Sequence, residues 1–176
     1  MDTVWTIRIN WNSTYSTDVA SIDFTSIQES TYNVHFLTLD NFQTASDNVQ
    51  EFQIQLYESG VLETASVYQS AFQRGRVDGA FTEYRSTGLG YMYINQNGGN
   101  ATNEKSCGYV YFYNLGDSSK YSFQTAHSSY LDNSSNSEFI FGSGFLPQTS
   151  VVDGIRVFAG AGNLSATISL YGIAES

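Results

Sequence analysis

The chain has 176 residues and a formal net charge of −10, from 17 acidic and 7 basic side chains. This length corresponds to one domain and suffices for a hydrophobic core without disulfides or metals. Charged residues make up 14% of the chain and aromatic residues 15%. The aromatic content excludes intrinsic disorder, and the low charge excludes a coiled coil.

The charge distribution argues against a nucleic-acid or membrane partner. A nucleic-acid interface needs a basic patch, but among the basic residues only Arg74 and Arg76 lie close together. No run of 18 apolar residues predicts a membrane span, and residues 1–5 lack the features of a signal peptide. Cys107 is the one cysteine, so no internal disulfide can form. We therefore expect the chain to fold in a reducing cytoplasm by packing alone.

Taken in chain order, the apolar residues follow a period of two, which is typical of β-strands. The predicted strands lie near residues 5–11, 52–57, 91–94, 109–113, 139–141, 155–158 and 166–171. Residues 60–72 are interpreted as strand or loop, because Val67, Tyr68 and Phe72 favour strands. Turn-forming residues separate the strands at 95–100, 114–119, 132–137 and 160–163.

Many short strands separated by turns predict an all-β fold, an antiparallel β-sandwich of jelly-roll type. We expect a single domain over residues 1–176, with less than about a tenth of the residues in helices. Ile155, Val157, Ile168 and Leu170 are predicted core residues. They alternate on the last two strands, which the turn at 160–163 connects.

The chain carries no recognisable catalytic motif. Ser128 and Ser129 follow His127, but no nucleophile elbow is present, and His35 lies in an alternating strand pattern. Cys107 is expected to be a buried, inert thiol. No pattern selects a pair among the 17 acidic residues for glycosidase chemistry. We predict a protein that is not an enzyme and has no catalytic residues.

One loop has alternating oxygen-bearing side chains, at Asp132, Ser134, Asn136 and Glu138. Such side chains suit Ca²⁺, but the glycine and glutamate spacing of an EF-hand is absent. One cysteine and two distant histidines cannot supply a closed zinc site. A solvated loop is the expectation here, with no metal site and no cofactor.

Aromatic residues supply the candidate interface. Tyr109, Tyr111 and Tyr113 alternate along one predicted strand, and they form a stripe if Tyr91 and Tyr93 share their sheet face. Such rings suit protein interfaces or sugar stacking, and the alternative is packing within the sheet.

The N-terminal strand is a second candidate interface, because it carries both tryptophans. Trp5, Ile7 and Trp11 within residues 3–11 are predicted to contact another subunit. The alternative is that both tryptophans fill the domain's own core.

Several segments carry a recurring combination of strands and turns. They are residues 32–40, 45–48, 52–60 and 108–114, followed by an apolar strand, a turn at Gly162, Asn163 and Leu164, and a last strand ending in Leu170, Tyr171, Gly172 and Ile173. Together they resemble a β-sandwich module of tailed-phage virion proteins. The resemblance covers residues 32–173, and residues 3–11 have no counterpart in it.

The resemblance implies a non-enzymatic structural protein of the virion, assembled in the host cytoplasm. We expect a capsid decoration (cement) protein on the outer surface of the head, as a homotrimer that contacts the major capsid protein or other virion proteins. A tail fibre or tail-tip receptor-binding component is the alternative, and the absence of a stalk in the sequence argues against it. A third class is a free carbohydrate-binding module or hydrolase. A protein of this class is expected to carry a secretion signal or a catalytic constellation, and the sequence shows neither.

Overall fold

The computed structural model describes residues 9–47 and 52–174, with side chains described from Ser13 onward in these ranges. The described residues form thirteen β-strands and no helix, which confirms the predicted all-β class. The strands are β1 (Ile9–Val19), β2 (Ser21–Thr25), β3 (Val34–Thr44), β4 (Phe52–Glu58), β5 (Val61–Leu62), β6 (Tyr68–Arg76), β7 (Phe81–Leu89), β8 (Met92–Tyr93), β9 (Ser106–Tyr113), β10 (Ser122–Leu131), β11 (Ser137–Leu146), β12 (Val152–Ala159) and β13 (Leu164–Ile173).

The strands form two antiparallel sheets of unequal width. The wide sheet has eight strands in the order β1-β13-β3-β9-β10-β11-β6-β7. The narrow sheet has the order β2-β12-β4-β5, and the short strand β8 also pairs with β4. The sheets pack against each other, so the predicted β-sandwich is confirmed, and its jelly-roll type stays a prediction.

One hydrophobic core fills the space between the sheets. Ile155, Val157 and Ile168 are fully buried and Leu170 is 6% exposed, as predicted. However, β12 belongs to the narrow sheet and β13 to the wide one. The turn at 160–163 therefore crosses between the sheets, and these four side chains meet the core from opposite sides.

Polar side chains close the sandwich where the narrow sheet is short. The Tyr68 hydroxyl accepts a hydrogen bond from the Leu56 amide (3.0 Å) and donates one to the Glu63 carbonyl (3.1 Å). Gln124 donates to the Tyr93 carbonyl (3.1 Å), and Ser128 donates to the Ile94 carbonyl (2.7 Å). These bonds satisfy buried backbone groups that the short strand β8 cannot pair by itself.

A tight turn explains the glycine that follows β4. Ser59 and Gly60 both have positive φ, at 50° and 80°, between the paired residues Glu58 and Val61. Two residues in the left-handed conformation match the strand twist at a two-residue hairpin turn. Glycine adopts this conformation without steric cost. Residues 61–72 then form β5, a loop and the start of β6, in agreement with the strand-or-loop interpretation.

Replacing Ile168 by alanine is expected to lower the free energy of unfolding by about 2–5 kcal/mol, because a fully buried side chain is removed. Chemical denaturation monitored by circular dichroism measures the change. The control is Val61→Ala, since Val61 is 70% exposed on β5, and it is expected to change stability by less than about 0.5 kcal/mol. A similarly small effect for Ile168→Ala would show that this residue is not part of the core.

A buried histidine makes stability depend on pH. His35 is fully buried in β3, and its Nε2 donates a hydrogen bond to the Ile27 carbonyl (2.9 Å). Its Nδ1 has no hydrogen-bond partner among the described residues. Burial lowers the pKa of His35 below its ordinary value of 6.5, although the Ile27 hydrogen bond and the Glu29 charge oppose this shift.

Because the unfolded chain binds this proton more readily than the folded chain, stability is expected to fall as the pH drops below about 6.5 towards the lowered pKa of His35. The measurement is the unfolding free energy of the wild type and of His35→Phe between about pH 5 and 7.5. The variant lacks this titration and is expected to show a flatter pH dependence. Equal slopes for the two proteins would contradict the assignment.

Candidate functional site

The outer face of the wide sheet carries most of the exposed aromatic side chains. On β9, Val110 and Phe112 point into the core and are fully buried, so the alternating Tyr109, Tyr111 and Tyr113 point outward. Outward side chains of β10, β11, β6, β7, β3 and β13 continue this surface on both sides. We call the combined surface the aromatic face.

One part of this face is a tyrosine cluster, formed by Phe36, Tyr109, Tyr111, Tyr113 and Tyr171, in which Tyr109 is exposed and the other four side chains are half-buried. The Phe36 ring lies 4.6 Å from the ring of Tyr111 and 6.0 Å from that of Tyr171. Tyr111 also contacts Tyr109 at 6.0 Å and stacks on Tyr113 at 6.4 Å. The rings support one another, and each tyrosine keeps a polar hydroxyl group that water can solvate.

The other part consists of two phenylalanine-rich ridges. The first ridge is Tyr121, Phe123 and Phe145, whose rings stack at 5.4 and 6.0 Å. The second ridge is Phe81, Phe139 and Phe141, with ring contacts of 6.2 and 6.4 Å. Four of these phenylalanines are between 37% and 66% exposed: Phe81, Phe123, Phe139 and Phe141.

A trough of small residues separates the two ridges. Its floor is Thr125, Ser143 and Ala71, which lie opposite one another on β10, β11 and β6 and are all exposed. Open depressions of about 470 and 410 Å³ lie along it. Arg85 is paired with Ala71 at one end of the trough, and Tyr111 is paired with Thr125 at the other.

A glycine helps to form the second ridge. Gly75 on β6 lies opposite both Phe139 and Phe81. A Cβ atom built on Gly75 would overlap the Phe139 ring and lie 3.1 Å from the Phe81 ring. The missing side chain therefore provides the space into which the two rings fold.

The centre of the aromatic face carries no formal charge. The outward positions of β9, β10, β11 and β6 hold no aspartate, glutamate, lysine or arginine. Asp40, Glu83 and Arg85 occupy outward positions only on the flanking strands β3 and β7. A chain with a net charge of −10 thus has one broad neutral surface.

The predicted interface residues are only partly brought together. Tyr109, Tyr111 and Tyr113 share one face, as expected, but Tyr91 and Tyr93 do not join them. Residue 93 belongs to β8 in the narrow sheet, where Tyr91 contacts Tyr93 and Phe158. The condition for a five-tyrosine stripe is therefore not met, because β8 pairs with β4 rather than with β9.

The N-terminal candidates lie largely outside the described residues. Trp5 and Ile7 fall in residues 1–8, which the structure does not describe. The Trp11 backbone lies in β1, opposite Tyr171 of β13, and its side chain also falls outside the described part. Their role as a contact strand stays a prediction.

The phenylalanines of the ridges were missed as interface residues. The alternation of Phe139, Ile140 and Phe141 predicted a strand, but both of its faces are apolar. The sequence feature that separates the two faces is the type of side chain. The aliphatic Ile140 is buried at 1% exposure, whereas the aromatic side chains of Phe139 and Phe141 are exposed on the outer face.

The candidate catalytic side chains do not form a constellation. Ser128 points inward and is bonded to the Ile94 carbonyl, whereas His127 lies on the aromatic face with its ring 5.6 Å from that of Tyr109. Cys107 is exposed rather than buried, so that expectation is wrong. It follows the buried Ser106 at the start of β9, and the alternation of the strand places it outward.

The loop considered for Ca²⁺ is held by its own backbone and by arginine. One oxygen of Asp132 accepts hydrogen bonds from the amides of Ser134 (2.9 Å) and Asn136 (2.8 Å), and the other lies 3.3 Å from Arg76. Glu138 is 2% exposed and pairs with Arg74 (3.5 Å) and Arg76 (3.2 Å). Within the described part of the chain, no group of three or more histidine, cysteine or acidic residues is arranged to hold a metal.

Removing a ridge phenylalanine is expected to leave folding almost unchanged. Phe141→Ser is expected to lower the unfolding free energy by less than about 1 kcal/mol, because Phe141 is 47% exposed. The matched control is Phe112→Ala on the inner side of the same sheet, with an expected loss of about 3–5 kcal/mol. Urea denaturation of both variants measures the difference. Equal losses would show that Phe141 serves the fold.

No family model matches this chain, and no match is found among curated proteins either. In residues 9–47 and 52–174, no helix is long and apolar enough to cross a membrane.

Proposed function

We propose that the protein is a non-enzymatic structural subunit that assembles with other proteins through its aromatic face. The observation that carries the proposal is the broad, uncharged aromatic surface on an otherwise acidic chain. Soluble monomers rarely expose apolar patches larger than a few hundred Å², and a larger patch marks an interaction site. Aromatic enrichment together with depletion of charge is also the composition found at the centre of protein interfaces.

The tyrosine cluster suits a contact that forms after folding. Four of its five rings are half-buried among themselves, so the free surface stays soluble, while the hydroxyl groups remain available for hydrogen bonds to a partner. Tyrosine is enriched at binding hot spots for the same reason. We assign Tyr109, Tyr111 and Tyr113 to this contact, with Trp5, Ile7 and Trp11 as the additional predicted contact residues.

The proposed setting is a phage virion, and the support for it is the sequence resemblance over residues 32–173. In this setting the protein is a capsid decoration protein that binds the outer surface of the head, as a homotrimer in contact with the major capsid protein. The neutral polar and acidic surface outside the aromatic face suits a subunit present in many copies, because it resists nonspecific association. A tail-fibre or tail-tip component is the runner-up.

The test is to add purified protein to phage heads that lack it and to measure saturable binding by co-sedimentation. Tyr111→Ala and Trp5→Ala are each expected to weaken binding by about 2 kcal/mol or more if these residues anchor the contact. Val61→Ala, on the opposite sheet, serves as the control and is expected to bind normally.

Circular dichroism must show that every variant is folded. Absence of binding to heads, together with labelling at the tail tip, would replace the decoration proposal by the tail alternative.

A further inference from the structure

The outward side chains of the wide sheet alternate in size between neighbouring rows. The row containing Phe123 and Phe145 is followed by the row containing Thr125, Ser143 and Ala71, and then by the row of His127 and Phe141. Neighbouring outward rows are two residues apart along each strand, which is about 7 Å. A bulky–small–bulky surface of this kind is complementary to a copy of itself displaced by one row.

Packing of one sheet on another requires this kind of interdigitation. Two sheets that pack face to face lie about 10 Å apart, and side chains from each fill the gaps in the other. The trough is open and its floor residues are exposed. A ridge of an opposing sheet can therefore enter it without displacing a side chain of this chain.

The apolar area of the face is large enough for a stable contact. Phe81, Phe123, Phe139, Phe141 and Tyr121 are 37–66% exposed. Taking about 200 Å² for a fully exposed aromatic side chain, these five ridge residues present roughly 470 Å². Phe145 and the trough floor add to this area and bring it towards the roughly 800 Å² per partner of a standard interface.

The charge pattern favours a second copy as the occupant. The ridge residues and the trough floor contain no carboxylate that would attract a basic partner and no cation that would attract an acidic one, and Arg85 lies only at the β7 end of the trough. Their complement is a neutral aromatic surface, and this chain itself carries one. Exposed phenylalanine has no polar group for water to solvate, so this part of the face favours an apolar cover, and homodimer interfaces are the more apolar class of interface.

We infer that a second copy of this chain packs against the phenylalanine ridges, with a ridge of one copy lying in the trough of its neighbour. This inference deepens the proposed function, because it divides the aromatic face into a self-association surface and the tyrosine cluster that contacts other proteins. Because the ridges and the trough adjoin on one face, the same surface is used by both copies, so this contact closes as a two-fold dimer and the proposed trimer would need a further contact.

The experiment is sedimentation velocity over a range of protein concentrations. Phe141→Ser removes part of a ridge, and Ser143→Trp fills the trough. Each is expected to raise the dissociation constant of self-association at least about 30-fold. The control Val61→Ser alters an exposed apolar residue of the narrow sheet and is expected to associate like the wild type. Circular dichroism melts confirm that the variants are folded.

Salt gives an independent measurement. Two copies of net charge −10 repel each other, so raising the salt concentration is expected to strengthen self-association through the neutral face. A contact with a basic partner would instead weaken as salt is added.

A wild-type protein that stays monomeric at all concentrations overturns the inference. So does association that persists unchanged in both Phe141→Ser and Ser143→Trp, since another surface is then responsible. A different result contradicts the proposed function: the protein self-associates but binds to no part of the virion. Oligomerisation and particle binding are thus read from different experiments.

Discussion

The wide sheet is apolar on both faces, but the narrow sheet covers only one of them. Its inner face carries buried side chains such as Leu37, Val110, Phe112 and Ile140, which form the core. Its outer face carries rings that the described part of the chain leaves exposed or half-buried. An uncovered aromatic surface costs free energy in water, because its hydration is unfavourable. This imbalance between two sheets of unequal width is the constraint on which the proposed assembly with other proteins rests.

The two sheets are held together without a disulfide, because the chain has a single cysteine. Where β8 is too short to pair its neighbours, Tyr68, Gln124 and Ser128 bond the buried backbone groups from across the sandwich. Burial raises the pKa of Tyr68, so its hydroxyl stays protonated and continues to donate its hydrogen bond. Where β6 pairs with β11, the buried carboxylate of Glu138 forms ion pairs with Arg74 and Arg76, and these opposite charges compensate one another. The bonds of Tyr68, Gln124 and Ser128 connect the wide sheet to the narrow one, whereas the ion pairs of Glu138 lie within the wide sheet.

The two parts of the aromatic face differ in chemistry rather than in location alone. Tyrosines such as Tyr111 have both a packing ring and a hydroxyl, so they tolerate water before a partner arrives. Phenylalanines such as Phe141 have only the ring, so they need a lasting apolar neighbour. The proposed order of assembly rests on this difference. In that proposal, self-association through the ridges comes first, and contact of the tyrosine cluster with a larger structure comes afterwards.

The sequence by itself determined the all-β class and strands such as β12 and β13, because the period of two in segments such as Ile155–Val157 and Ile168–Leu170 requires strands with one buried side. It also marked Tyr109, Tyr111 and Tyr113 as sharing one face. It did not predict β7 or β10. The sequence could not determine which face of a doubly apolar strand is buried, and so the exposure of Phe139, Phe141 and Cys107 was missed. Strand pairing between residues distant in sequence decides this, and it placed β8 with β4 and split β12 and β13 between the sheets. The physical reason is that alternation is a local property of the chain, whereas the covering of a face depends on which distant strands lie opposite it.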